Sequence, residues 1–204
     1  VSLATGRAAK DASISTTGQV LLTGKDGRLW LVAGGSVRQV PGVTRVRGAE
    51  ISANGRLAAV RFAGEAAEPS PVVRLVDVRT GRVVVEVDNG APATAAAVSV
   101  GGKLLATGGS DRIVRLWRVS TGRELRVLTG HVGPISAIAF SARGDTMASA
   151  STDGIGRVWD AVTGQPVSVL SGHANYLTDI AFSPDGEQVV TASLDRTART
   201  WKAE

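Results

Sequence analysis

The chain of 204 residues contains no cysteine and only two histidines. The absence of cysteine excludes disulfide scaffolds, Cys-ligated zinc, iron–sulfur clusters and thiol catalysis. It also fits a reducing compartment, so we expect a cytoplasmic location. Two histidines leave little room for His-based metal or acid–base chemistry. We therefore predict no metal site, no cofactor and no catalytic residue.

Aromatic residues make up only 4% of the chain, which is sparse for a surface that stacks nucleobases. No apolar run reaches the length of a membrane span, and the first ten residues lack the apolar core of a signal peptide. The hydrophobic content of 43% is enough for a core. We expect one domain over residues 1–204 and, because the first residue is Val1, a piece of a longer polypeptide.

Lysine is scarce as well, because only four of the 23 basic residues are lysine. The formal net charge of +5 is therefore carried by arginine. A basic protein can attract nucleic acid, but these cations are scattered along the chain without a run of like charges. We interpret them as a solvated surface and keep nucleic-acid binding as an alternative.

A repeat of 42 residues organises the second half of the chain. The residues that keep this spacing are Trp117, Trp159 and Trp201, together with Asp111, Asp153 and Asp195. Within one unit, PISAIAFS, TMASAS, RVWDA and PVSVL read as four short strands separated by turns. No segment has the period of a helix. The repeat therefore predicts an all-β protein built from four-stranded antiparallel units.

Two of these units resemble the GH…D…WD signature of WD40 repeats. The matching residues are Gly130-His131, Asp153 and Trp159-Asp160 in one unit, and Gly172-His173, Asp195 and Trp201-Lys202 in the next. The resemblance implies a β-propeller with four strands in each blade. It also implies a non-catalytic scaffold that binds protein or peptide partners.

In WD40 blades a His, a Ser or Thr, an Asp and a Trp form a buried hydrogen-bond chain. The resemblance assigns this structural role to His131, Ser149, Asp153 and Trp159, to His173, Thr191, Asp195 and Trp201, and to Thr107, Asp111 and Trp117. Asn89 stands where the third of these units would have its His, so we expect a shorter network there. Such a chain is physically sensible, because a buried indole N–H needs an acceptor and a buried carboxylate needs donors.

The same residue types allow a second reading, in which His131, Ser149 and Asp153 are a catalytic set. An enzyme seldom builds two such triads 42 residues apart, and triads are recognised by geometry and role. The sequence also lacks a phosphate-binding GxxxxGK[ST] loop, a GxSxG elbow and an HExxH motif. The carboxylates of Glu50 and Asp179 have no evident partner in the sequence. We therefore predict that the chain is not an enzyme.

The first two units are degenerate. We place Trp30 in the third strand of the first unit and Val76-Asp77 at the Trp-Asp position of the second. The segment AGEAAEPSP, residues 63–71, reads as an exposed loop. Counting third strands gives five blades, and the last unit stops at its third strand. The segment VSLATGRAAKD at the N-terminus resembles the missing fourth strand, so we expect it to complete the last blade.

Two structural hypotheses stay open at this point, a closed ring of five blades and part of a larger ring completed by further sequence or another chain. A strand-sharing oligomer is likewise open. In either case the resemblance places the GH and Asp turns on one face. Our candidate partner-binding residues on this face are Ser110, Arg112, Pro134, Thr152, Asn175, Tyr176, Leu194 and Arg196. For Tyr176 the alternative is ordinary packing over the rim of the channel.

Two further expectations rest on association. The usage of Ala, Arg, Gly and Val resembles that of bacterial proteins, in which such repeats often form the C-terminal part of larger signalling or regulatory proteins. Arg115, Arg157 and Arg199 each precede a repeat Trp by two residues. They suggest a comb for nucleic acid, or else side chains that pack their stems and expose their heads.

Overall fold

The computed structural model describes residues 8–64 and 68–204, and within these ranges all regular structure is β-strand. The strands pair only with their neighbours in sequence and always antiparallel, giving four sheets of four strands and one of three. The predictions of an all-β chain, of five blades and of a propeller are confirmed.

The strands of the five blades follow one another along the chain. Blade 1 comprises β1 (Ala9–Ile14), β2 (Val20–Gly24), β3 (Leu29–Ala33) and β4 (Ser36–Gln39). Blade 2 comprises β5 (Val46–Ile51), β6 (Leu57–Ala63), β7 (Pro69–Asp77) and β8 (Val83–Asp88). Blade 3 comprises β9 (Ala93–Val98), β10 (Leu104–Gly109), β11 (Val114–Arg118) and β12 (Arg123–Leu128). Blade 4 comprises β13 (Ile135–Phe140), β14 (Thr146–Ser151), β15 (Gly156–Asp160) and β16 (Pro166–Leu170). Blade 5 comprises β17 (Leu177–Phe182), β18 (Gln188–Ser193) and β19 (Ala198–Lys202).

Each blade packs on the preceding one through its first strand, which carries large aliphatic residues in blades 4 and 5 and mostly alanine in blade 3. Leu177 and Ile180 of β17, for example, share a buried cluster with Ala148, Ala150 and Val158 of blade 4. Small residues on the facing strands make room for these side chains, and the apolar area removed from water holds the blades together. The first strands of all five blades line a central cavity of about 620 Å³.

The last blade has three strands within the described residues. Residues 1–7, which we expected to supply its fourth strand, lie outside the described ranges. The remainder of that segment does something else, because Ala9 to Asp11 belong to β1 and pair with β2. These residues therefore form the innermost strand of blade 1.

The outer sides of the two terminal blades are bare within the described residues. Ala148 in blade 4 is fully buried beneath blade 5, whereas Val190, one repeat later, is 40% exposed. Ala12 of β1 is exposed, although the corresponding Ile180 of β17 is only 4% exposed. Neighbouring blades pack along the series from 1 to 5, while no strand of blade 1 packs on blade 5 to a similar extent.

In blade 1 the tryptophan lies two residues before the position of the repeat tryptophan. Trp30 lies in the predicted third strand, but it pairs with Leu22, as Arg115 pairs with Thr107 in blade 3. The register position of Trp117, opposite Leu105, is taken in blade 1 by Val32, opposite Val20. Trp30 therefore occupies the position of the repeat arginine and not that of the repeat tryptophan.

The predicted exposed loop over residues 63–71 is wrong at both ends. Ala63 ends β6 and pairs with Pro69, which begins β7. Proline is tolerated at the start of a strand, because its missing N–H removes no essential bond there. The connection between the two strands is therefore residues 64–68, of which residues 65–67 lie outside the described ranges.

Candidate functional site

The antiparallel order places the connections of every blade on two opposite faces. We call loop face the end that carries the hairpin between the second and third strands and the link to the next blade. We call turn face the end that carries the other two hairpins. All eight candidate partner-binding residues lie in connections of the loop face.

In blade 4 the structure brings four of the predicted network residues together. The indole Nε1–H of Trp159 donates to Ser149 Oγ at 2.9 Å, and His131 Nε2 lies 2.8 Å from the same oxygen. The other ring nitrogen of His131, Nδ1, lies 2.9 Å from Asp153 Oδ2. Asp153 also accepts the backbone N–H groups of Val132 and Ile155. This network of hydrogen bonds therefore ties the third strand to both loop-face connections of the blade.

The proton positions in this hydrogen-bond network follow from the indole of Trp159, which is its one fixed donor. The indole can only donate, so the hydroxyl hydrogen of Ser149 is free to point to His131 Nε2. A neutral His131 then carries its proton on Nδ1 and donates it to Asp153. Burial lowers the pKa of His131 and outweighs the opposing effect of Asp153. Burial raises the pKa of Asp153, but the hydrogen bonds from Val132, His131 and Ile155 outweigh it and hold that pKa below its ordinary value.

Blade 5 repeats this geometry with threonine as the hydroxyl. Trp201 Nε1–H donates to Thr191 Oγ1 at 2.8 Å, and His173 Nε2 lies 2.8 Å from that oxygen. His173 Nδ1 lies 2.7 Å from Asp195 Oδ2. The hydroxyl of Thr197 donates to Asp195 and, with the His173 and backbone hydrogen bonds, holds the pKa of Asp195 well below its ordinary value.

Blade 3 has the shorter version. Trp117 Nε1–H donates to Thr107 Oγ1 at 2.8 Å, and Thr107 donates to Asn89 Oδ1 at 2.7 Å. The third predicted member, Asp111, pairs instead with the guanidinium of Arg115 at 2.8 Å. The side-chain amide of Asn89 thus replaces the imidazole as the acceptor. The carboxylate of Asp111 pairs with an arginine instead of a histidine.

The catalytic reading of these residues finds no support in their burial. Ser149 is completely buried, and its oxygen already serves both Trp159 and His131. A nucleophile must reach its substrate, and the equivalent Thr191 in blade 5 is completely buried as well. The hydrogen bonds instead fix the loops. Asp153 and Asp195 each lie in the hairpin between the second and third strands and accept a backbone N–H from the link that precedes the blade.

Tyr176 and Leu194 stand out among the candidate residues of the loop face. Tyr176 is 53% exposed and Leu194 is 57% exposed, so about half of each side chain is open to contact. The N–H of Leu194 donates to the carbonyl of Tyr176 at 2.9 Å, which holds their two loops side by side. Leu194 directly precedes Asp195 of the blade 5 network. This exposed apolar pair is therefore mounted on a fixed backbone.

The other six candidate residues lie on the same face and differ in exposure. Ser110, Arg112, Pro134, Asn175 and Arg196 are exposed, while Thr152 is partly buried. Arg112 and Arg196 have the left-handed φ angles of 71° and 70°, where blade 4 has Gly154 with a φ of 82°. The turn holds both arginines in a conformation that usually favours glycine.

Two of the three recurring arginines are engaged within the protein, while Arg199 is exposed. Arg115 is held by Asp111 and Glu124, and its side chain is only 15% exposed, so the expectation of an exposed head is wrong for this residue. Arg157 donates to the carbonyl of Gly130 at 2.8 Å. Both heads brace the loops of their own blades, which removes them from contact with a polyanion.

The central channel gathers charges that the sequence kept apart. Asp11, Glu50, Arg61 and Asp179 all line it, and Ser13 Oγ donates to Glu50 at 2.7 Å. Enclosure by protein raises the pKa of Glu50, partly offset by Ser13 and Arg61. Sequence reasoning missed this cluster because its members lie on different blades. Residues 8–64 and 68–204 contain no group of three His, Asp or Glu side chains that could hold a metal ion.

Membrane-spanning helices are likewise not found, since the described ranges contain no helix at all. No individual curated protein is significantly similar to this chain. A family model does match, described as WD domain, G-beta repeat, over residues 86–118, 122–160 and 164–202. These three segments cover blades 3 to 5 and more than half of the chain. Together with the five-bladed fold and the repeated networks, they show that the chain belongs to the WD40 family.

Proposed function

We propose that this WD40 propeller is a non-catalytic scaffold that binds a protein or peptide partner through its loop face. WD40 propellers are typically protein-interaction scaffolds. The observation that carries the proposal here is the exposed pair of Tyr176 and Leu194 on loops that are fixed by the blade 5 network. A rigid aromatic anchor loses little entropy on binding, and tyrosine and arginine are frequent in binding hot spots.

The same proposal includes a cytoplasmic setting within a larger bacterial signalling or regulatory protein, supported by the lack of cysteine and by the amino-acid usage. It does not include nucleic acid, because Arg115 and Arg157 are occupied within their own blades. It does not include catalysis, because the hydroxyls of the networks are buried.

The test is a selection of binding peptides from a random display library against the immobilised chain. Selected peptides are then measured by fluorescence anisotropy against Tyr176→Ala and Leu194→Ser variants. We expect each substitution to weaken binding by roughly tenfold or more, as hot-spot truncations do.

Val162→Ala is the matched control, because Val162 is 69% exposed but lies on the turn face. It should leave the affinity unchanged. Peptides that bind all variants equally well, or that lose binding only in the Val162 variant, would contradict the placement of the site on the loop face.

A further inference from the structure

The turn face carries one position at which the repeat changes the sign of its charge. Asp77, Arg118, Asp160 and Lys202 end the third strands of blades 2 to 5 and pair with the first residue of the second strand. In blade 4, Asp160 accepts the N–H groups of Val162 and Thr163 and so caps the following turn. Asp77 caps its turn in the same way. Arg118 cannot accept these bonds.

The residue just before the second strand lies beside this position. In blade 2 it is Arg56, which pairs with Asp77 at 3.6 Å. In blade 4 the two positions hold Asp145 and Asp160, and in blade 5 they hold Glu187 and Lys202. Only in blade 3, among blades 2 to 5, are both positions cationic, with Lys103 and Arg118. Like charges on neighbouring strands are unfavourable, so this arrangement works against the stability of the blade.

These two side chains line a groove between blades 3 and 4 that we call the cationic groove. Arg143 of blade 4 joins Lys103 and Arg118 on its wall, and Leu104, Val119 and Leu125 provide apolar surface. The groove has a volume of about 750 Å³, and no acidic side chain lines it. All three cations are exposed, and their side chains make no hydrogen bond or ion pair within the described residues.

Two other grooves of this face contain partners for their cations. Between blades 1 and 2, Arg38 donates to the carbonyls of Val78 and Arg79, and Arg56 has Asp77. Between blades 4 and 5, the lining includes Asp145, Asp185 and Glu187 beside Lys202 and Arg143, the latter bordering both grooves. The cationic groove differs from these two equivalents, because within the described residues the side chains of its cations make no hydrogen bond or ion pair.

We infer that the cationic groove is a second docking site, which binds an acidic peptide segment that carries an aliphatic residue. Three cations without internal partners complement carboxylates, and leucine-sized apolar surface between them complements an aliphatic side chain. The volume far exceeds that of a single phosphate. Nucleic acid would favour aromatic platforms, and the residues that line the groove include none. The site is separate from the loop face, because it lies at the opposite end of the blades.

The experiment uses a fluorescein-labelled synthetic peptide of Asp and Glu residues around two Leu, titrated with the full chain and followed by anisotropy. The key variant is Arg118→Asp, which restores the residue found at positions 77 and 160. We expect it to lower the affinity for the peptide by about tenfold or more. We also expect it to raise the melting temperature, because a carboxylate can accept turn N–H groups and pair with Lys103. A loss of binding in a more stable protein cannot be attributed to misfolding.

Arg82→Asp is the matched control, since Arg82 is exposed on the same face, outside the groove, and the charge change is identical. It should bind like the unmodified chain, as should the Tyr176→Ala variant. Equal losses in the Arg82 and Arg118 variants would indicate diffuse attraction and overturn the proposal. So would unchanged binding when the two Leu of the peptide are replaced by Ser. The groove would belong to another ligand if the peptide did not bind while an oligonucleotide or phosphatidylserine vesicles bound and lost binding in Arg118→Asp. That result would refute the proposal.

Discussion

A hydroxyl at one position decides which blades close their internal network. Thr107, Ser149 and Thr191 each accept an indole N–H and pass a hydrogen bond to Asn or His. Blade 1 has Leu22 at this register position, opposite Trp30. Within the described part of the chain, the indole N–H of Trp30 is buried without a partner. Trp30 stands at the register position of the repeat arginine, so its indole does not join the network, and an unsatisfied buried donor costs free energy of folding.

His173→Ala should destabilise the protein by roughly 1–3 kcal/mol, because Thr191 and Asp195 lose a buried partner. Urea unfolding followed by tryptophan fluorescence measures the change. His131→Asn should cost less than His131→Ala, since Asn89 already serves as the acceptor in blade 3. Equal losses for the two His131 variants would show that the amide cannot replace the imidazole.

The lowered pKa of His131 makes stability depend on pH in a defined window. The folded state keeps this imidazole neutral, while the unfolded chain takes up a proton near the ordinary value of 6.5. The unfolded state therefore binds more protons below that value, so the free energy of unfolding should fall between about pH 7.5 and about pH 5.5. Asp153, whose pKa is lowered, stays ionised throughout this window.

Urea titrations at the two ends of the window check this expectation. The His131→Asn variant is the control, because it lacks the titrating group and should show a smaller decrease. A decrease of the same size in both proteins would assign the pH dependence to other groups.

Arg112→Gly should stabilise the protein by about 0.5–1 kcal/mol, because the turn holds Arg112 at a φ of 71°. Relief of the left-handed strain outweighs the extra freedom that glycine gives the unfolded chain. Thermal unfolding measures the gain. Arg82→Gly, at an exposed turn residue without a positive φ, should instead be neutral or destabilising.

At the scale of the strands, alternation and turn residues were sufficient to predict most of blades 3 to 5. TMASAS and PVSVL coincide with β14 and β16. The prediction was weaker in blades 1 and 2, where landmark residues are missing. From the sequence, Trp30 is the obvious counterpart of the repeat tryptophan, but the strand pairing places Val32 at that position. The mismatch is two residues, which leaves Trp30 and Val32 on the same face, so alternation alone cannot show which of them takes the position of the repeat tryptophan.

Small residues at the junctions between blades are as specific as the network residues. A Cβ on Gly108 of β10 would lie 2.5 Å from Ile135 Cγ2 of the next blade. Gly108→Ala should therefore destabilise the protein by about 1–3 kcal/mol through overpacking. Gly101→Ala is the control, because its Cβ would meet only Lys103 at 3.9 Å. Equal melting temperatures for the two variants would contradict this tight junction.

At the scale of the whole molecule, contacts between distant segments were beyond the sequence. The repeat placed Asp153 and His131 in one network, because equivalent positions recur. It could not show that Glu50, Arg61 and Asp179 meet in the channel, or that Lys103, Arg118 and Arg143 meet between two blades. The residues of those clusters differ from the residues at equivalent positions of the other blades. Because they do not recur, the repeat cannot indicate that they meet.

The side of blade 5 that the described residues leave bare has a consequence for protein engineering. Val190, Ala192 and Thr200 occupy the positions at which blade 4 receives the aliphatic residues of its neighbour. A duplicate of residues 163–204, one full repeat of 42 residues, fused after Glu204 would supply a fourth strand for blade 5 and bring a copy of Leu177 and Ile180 to this surface. The chain should accept such an added module and unfold at a higher temperature, while the same fusion with both residues changed to Ser should give no gain. The protein thus offers a platform that can be lengthened one repeat at a time.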